Sequence, residues 1–182
     1  MTVPSRPAPS LPARTPRSRQ ILAVARDLLE AEGPEGLTMR RIGAALGIRA
    51  PSLYKHLPGK DGVRKALIAD ALLEIGTSLH EAVAATEESA GPAVRLLRAY
   101  RAYATAHPHL YRLCTVGELD RAALPAGLEE WAGTPFFLVA GEPYRAQALW
   151  AAAHGLAVLE IDNRFLPGSE LDRTWASAAA FG

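Results

Sequence analysis

Cysteine is almost missing: Cys114 is the single one in 182 residues, so no disulfide can form within the chain. Stability must therefore come from a packed core, and a lone thiol suits a reducing compartment. No apolar run approaches the roughly 20 residues needed to cross a bilayer. The first residues hold arginines and prolines but no apolar h-region, so no secretory signal is expected and the chain reads as cytoplasmic. Catalytic signatures are lacking too. There is no Gly-rich phosphate loop, no HExxH, no GxSxG and no Cys pair at metal spacing, so neither an enzyme nor a metal or cofactor site is expected. His107 and His109 flank Pro108, which marks a helix start better than a metal site. Strand-like alternation, Asn-Gly hairpin signals and repeats of solenoid period are absent as well. An all-α fold remains.

Charge is unevenly spread. Residues 1–60 carry ten Lys or Arg against four acids, a net of +6, while the rest carry ten against fifteen, a net of −5. A basic first third on an acidic remainder is the footprint of a nucleic-acid head on a body that does not bind it.

The most informative stretch is 37–60, LTMRRIGAALGIRAPSLYKHLPGK. Ile42, Ala45 and Leu46 share one helical face, Thr38 is an N-cap candidate, and Gly47 suits a helix end. A second helix is predicted near Pro51, with Leu53 and Leu57 packing it back onto Ile42 and Leu46. Ser52, Lys55 and His56 then face outward, with Tyr54 and Lys60 nearby. Helix, short turn, helix is the outline of a helix-turn-helix reader. Leu53-Tyr54-Lys55-His56-Leu57, then Lys60-Asp61, with Leu37-Thr38 and Leu46-Gly47-Ile48 upstream, strongly resembles the DNA-binding domain of the TetR family of bacterial transcription regulators. The likeness spans roughly residues 17 to 70. One departure is Arg49, where the family often has a capping Ser.

The resemblance implies an arm at 1–15, a helix-turn-helix domain at 16–60 and a ligand-binding and dimerisation domain at 61–182. It implies a homeodomain-like three-helix head on a body, about nine helices in all. The arm has no apolar period and should be disordered; Arg6 and Arg14 in it, and Arg17 and Arg19 just after it, are candidate contacts to DNA phosphates or a minor groove. The first helix should run from a cap at Thr15 to Gly33, burying Ile21, Ala25, Leu28 and Leu29. A long helix from about Asp61 to Ala85 carries Val63, Leu67, Ala71, Ile75, Leu79 and Val83 and would join head to body rigidly. Further helices are expected at 92–106, 108–116, 143–163 and 169–181, with an irregular stretch at 123–140. Pro92, Pro108 and Pro143 open first turns, and Ser169-Glu170-Leu171-Asp172 has capping-box spacing.

Arg40 and Ser52 are expected at base edges. Thr38, Tyr54, Lys55, His56 and Lys60 are assigned to phosphates, Ala50 and Pro51 to a thymine methyl, and Arg49 to either a base or a phosphate. Trp150-Ala151-Ala152-Ala153-His154-Gly155 resembles the motif of the WHG-type ligand domain in the same family. That likeness implies a homodimer through 143–163 and 169–181, reading a palindromic double-stranded operator with half-sites about 34–36 Å apart or multiples of that. It also implies a small-molecule effector among Tyr100, Tyr103, His107, Tyr111, Cys114, Trp131, Phe137, Trp150 and His154. A repressor released by its effector is the leading reading. A redox regulator acting through Cys114, and a DNA binder without sequence choice, are the alternatives.

Overall fold

The computed structural model describes residues 7–86 and 90–181, with no strand among them. Its α-helices are α1 (Pro16–Glu32), α2 (Met39–Ala45), α3 (Gly59–Ala84), α4 (Pro92–Ala106), α5 (Pro108–Thr115), α6 (Leu128–Ala140), α7 (Pro143–Ile161) and α8 (Leu171–Ala178). Short 3-10 turns lie at Gly33–Glu35, Ala50–Lys55, Arg121–Ala123 and Ala179–Phe181. Two compact units emerge. A head unit holds Pro9–Leu72 and His107–Ala126, and a body unit holds Leu73–Ala106 and the chain from Gly127 onward.

The head forms where the apolar spacing requires it. The Thr15 hydroxyl accepts from the Ser18 amide at 3.1 Å and opens α1, with Pro16 in the first turn. Ile21, Ala25 and Leu29 are fully buried from α1, and Leu37, Ile42, Leu53, Val63 and Leu67 complete the core with them. Arg14 does not hang free. Its guanidinium donates to both oxygens of Asp70, at 2.7 and 2.6 Å, and to the Ala66 carbonyl. Arg6 lies outside the described residues.

Helix α5 belongs to the head core through Leu110 and Cys114. Its N-terminus has no local side-chain cap. Instead the Glu30 carboxylate, from α1, accepts from the amides of His109 at 3.3 Å and Leu110 at 2.8 Å. A carboxylate there satisfies orphan N–H groups and meets the positive end of the helix dipole. Replacing Glu30 by leucine should cost about 1 kcal/mol, the usual worth of a cap. Amide exchange at His109 and Leu110 should then quicken about fivefold, whereas Glu30→Gln, which keeps an acceptor, should fall between. Unchanged exchange in the leucine variant would show that the cap does not hold α5.

In the body, α6 replaces the irregular stretch expected at 123–140. Pro135 sits inside it without breaking it. A proline has no N–H for the carbonyl four residues earlier, here that of Trp131. His80, on α3, supplies the missing donor: its Nε2–H reaches the Trp131 carbonyl at 3.0 Å, and the two rings stack at 4.6 Å. Gly76, one turn before His80, lets α6 come close, since a Cβ there would lie 2.5 Å from the Trp131 ring and 3.0 Å from the Ala132 Cα. Tyr100 meets Phe136 edge-on at 5.6 Å. The Arg101 guanidinium clasps Glu160 of α7 at 2.7 Å, and Glu160 also accepts from the Trp175 indole N–H at 2.7 Å. Through these bonds α4, α7 and α8 are held together.

The capping box expected at Ser169–Asp172 does not form. Glu170 is the residue before α8, no side chain caps it, and the Asp172 carboxylate pairs with Arg101 instead.

Candidate nucleic-acid interface

Thr38 caps α2 as its position requires, its hydroxyl accepting from the Arg41 amide at 3.2 Å. The helix is only 7 residues long, and Gly47 then turns the chain with φ +66°. The backbone reaches Arg49 in an extended conformation and enters the segment Ala50–Lys55. That segment departs from the α-helix expected near Pro51: it is a 3-10 helix, bonded Ser52 N to Arg49 O and His56 N to Leu53 O, both at 2.9 Å. One local feature favours the tighter turn: Arg49 offers no side-chain cap, whereas Pro51, in the first turn, is compatible with either helix. Pro58 and Gly59 follow within four residues of its end.

Leu53 is the pin of this segment, fully buried against the head core. Most of the residues around it face water. Arg40, Arg49, Pro51, Ser52, Tyr54, Lys55, His56 and Lys60 are exposed, while Thr38 and Ala50 are half-buried. All ten expected contact residues thus reach the surface of the head. Arg40, Arg49, Lys55, His56 and Lys60 have no side-chain partner among the described residues. Arg41 differs, because it pairs with Glu32. Arg17 donates to Gln20 at 3.0 Å at the start of α1. The uncompensated cations Arg40, Arg49, Lys55 and Lys60, gathered about a stiff, pinned segment, can neutralise phosphates without first breaking ion pairs.

The expected effector residues divide between the units. His107, Tyr111 and Cys114 lie in the head unit, and Tyr100, Tyr103, Trp131, Phe137, Trp150 and His154 in the body. Tyr100, Tyr103, Tyr111, Cys114 and Trp131 are buried as core, whereas Trp150 is 46% exposed on α7, stacked on His154 at 6.0 Å. Burial holds the His154 imidazole below its ordinary pKa. Among the described residues every buried side-chain nitrogen and oxygen has a partner. A groove of about 250 Å³ between α4 and α8 is lined by Val94, Leu97, Arg98, Arg101, Asp172, Trp175 and Ala176, none of them expected from sequence. It falls below the roughly 300–1,000 Å³ usual for ligand sites. Among the described residues no group of His, Cys, Asp or Glu is placed to hold a metal, and no helix is long and apolar enough to cross a membrane.

Sequence reasoning missed Glu30. Its partners lie 79 and 80 residues away, so no local pattern announces its role.

The pinned outward segment and its free cations define a helix-turn-helix nucleic-acid binder. Comparison with known proteins narrows this. A family model described as bacterial regulatory proteins, tetR family, matches residues 21–67, and one for the tetracyclin repressor-like C-terminal domain matches 93–181. The uncharacterized HTH-type transcriptional regulator Rv0681 of Mycobacterium tuberculosis is 30% identical over 159 residues, covering 82% of this chain and 72% of that protein. The class C tetracycline repressor protein of Escherichia coli is 42% identical over 55 residues, covering 30% of this chain and 25% of the repressor. A solved protein of unknown function from Rhodococcus sp. RHA1 shares the fold, with a TM-score of 0.76 at 22% identity over 92% of this chain and 94% of that one. The chain belongs to the tetR family of bacterial transcriptional regulators.

Proposed function

We propose that this protein is a cytoplasmic, homodimeric repressor that binds a palindromic operator through residues 38–60 and is released by a small molecule taken up within residues 61–182. The observation that carries the reading is the exposed, unpaired set Arg40, Arg49, Lys55, His56 and Lys60 around the segment pinned by Leu53. Arg40 and Ser52 read base edges. Thr38, Tyr54, Lys55, His56 and Lys60 hold phosphates and fix the register.

Dimerisation is supported by the outer face of α7. Tyr144, Ala148, Ala151 and Leu159 are exposed along it, with Trp150 at its margin, and Gly155 and the alanines allow a second helix to cross closely. The partner surface expected at 143–163 and 169–181 corresponds to α7 and α8. A two-fold pair gives the two heads that a palindromic site demands.

Selection of bound sites from random duplexes tests the reading. Lys60→Ala should weaken binding to every sequence alike and lower the salt slope by about one, while Arg40→Ala should relax choice at particular bases. Equal losses on operator and random DNA in both variants would overturn this division of labour and favour binding without sequence choice. The redox alternative fares poorly on geometry. Cys114 lies in the head core, its thiol donates to the Tyr111 carbonyl at 3.2 Å, and burial pushes its pKa up to about 12. At neutral pH the reactive thiolate is suppressed.

A further inference from the structure

The chemistry of the operator can be read from what the exposed surface does and does not offer, and this step rests on the DNA-binding assignment above. Between Gly36 and Lys60 the chain contains no Asn, Gln, Asp or Glu. Amide side chains are the ones that take adenine N6 and N7 together, and carboxylates accept from cytosine N4. Neither group is present on this stretch. Two-point recognition is left to the cationic side chains, which match guanine O6 and N7, and with Lys55 and Lys60 assigned to phosphates it falls to the guanidinium groups.

Three arginines lie in the stretch, and the structure separates them. Arg41 is engaged by Glu32, whereas Arg40 and Arg49 are exposed and without a partner among the described residues. Arg49 is also fixed in place. Its backbone is extended (φ −74°, ψ 140°), its carbonyl is held by the Ser52 amide, and Pro51 stiffens the next turn. Leu53 is the first residue after it that is turned wholly inward. Arg49, Pro51 and Ser52 therefore offer a guanidinium, a pyrrolidine ring and a hydroxyl at the surface, with Ala50, half-buried against the head core, between the first two. A fork beside a small apolar patch complements a guanine beside a thymine, whose 5-methyl group needs only apolar contact. Ser52, Tyr54 and His56 each add at most a single hydrogen bond, too little to fix adenine or cytosine by two points.

We propose that each operator half-site is specified by guanine and thymine: Arg40 and Arg49 each take the O6 and N7 of one guanine, and Ala50 with Pro51 covers the 5-methyl of a thymine next to the Arg49 guanine. Adenine and cytosine enter only as pairing partners on the opposite strand.

The test uses the full chain and the site it selects from random duplexes. Each guanine is replaced in turn by 7-deazaguanine, which lacks the N7 acceptor, and each thymine by uracil, which lacks only the methyl. Two guanines per half-site should each weaken binding about tenfold when replaced, within the range a good bidentate contact supplies. The loss at one should vanish in Arg40→Ala and the loss at the other in Arg49→Ala. Uracil should weaken binding a few-fold at one thymine, and Ala50→Gly should reduce that sensitivity. Retained binding of both arginine variants to random duplex at low salt, with unchanged circular dichroism, shows that they are folded. Tolerance of 7-deazaguanine at every position, or losses concentrated at 7-deazaadenine, would overturn the proposal while leaving the operator reading intact. Failure to enrich any duplex would overturn both.

Discussion

Leu53→Ala should abolish operator binding and lower the stability of the protein by about 3 kcal/mol, as truncation of a fully buried leucine does. The side chain is wholly enclosed by the head core, with Ile42 and Leu37 among its neighbours in that cluster. It is the one fully buried side chain in a segment of six residues that otherwise faces water or is half-covered. A 3-10 helix of this length has little stability of its own. Without its pin the segment loses both burial and position, so the cost in DNA affinity exceeds the cost in folding. Urea melts followed by circular dichroism, together with anisotropy of a labelled operator, measure the two effects. A variant that melts earlier yet binds DNA normally would show that Leu53 is merely one core residue among many.

The second large effect is expected at the crossing of α3 and α6. Gly76→Val places a Cβ within 2.5 Å of the Trp131 ring and 3.0 Å of the Ala132 backbone. Neither neighbour is the free end of a flexible chain, so α6 must move. Overpacking of this kind costs about 1–3 kcal/mol. The shift would also stretch the bond from His80 to the Trp131 carbonyl, leaving exposed the defect that Pro135 creates. Tryptophan emission is a suitable probe, because Trp131, Trp150 and Trp175 all belong to the body unit. A lower urea midpoint by that signal is the expected result. Gly133→Ala, in the same helix but with nothing within 4 Å, is the control and should stabilise by roughly 0.5–1 kcal/mol. If both variants melted alike, the close approach at Gly76 would carry no energetic weight.

Features governed by neighbours in sequence were legible beforehand. Thr15 and Thr38 cap the helices their positions announce, and Pro92, Pro108 and Pro143 occupy the first turns assigned to them. Leu53 faces the core and the hydrogen-bonding residues around it face outward, as the spacing required. What stayed hidden depends on distant partners. An internal proline and several glycines made 123–140 look broken, yet a histidine 51 residues away repairs the helix. Arg14 reads as part of a free basic tail until Asp70, 56 residues on, is seen to hold it. Asp172 fits a capping box by spacing, but Arg101 competes for it and wins. The 3-10 geometry of 50–55 is subtler, since Pro51 permits either helix and only the missing cap at Arg49 tips the choice.

The membership of α5 in the head core bears on how the protein is made. Residues 16–72 leave the ribosome well before Leu110 and Cys114, so the nascent reader waits with an open apolar seam until about forty more residues have been added. Closing that seam joins segments far apart along the chain, which slows folding relative to a contiguous three-helix unit. A fragment cut after residue 72 keeps that seam permanently unsealed, and its solubility suffers accordingly.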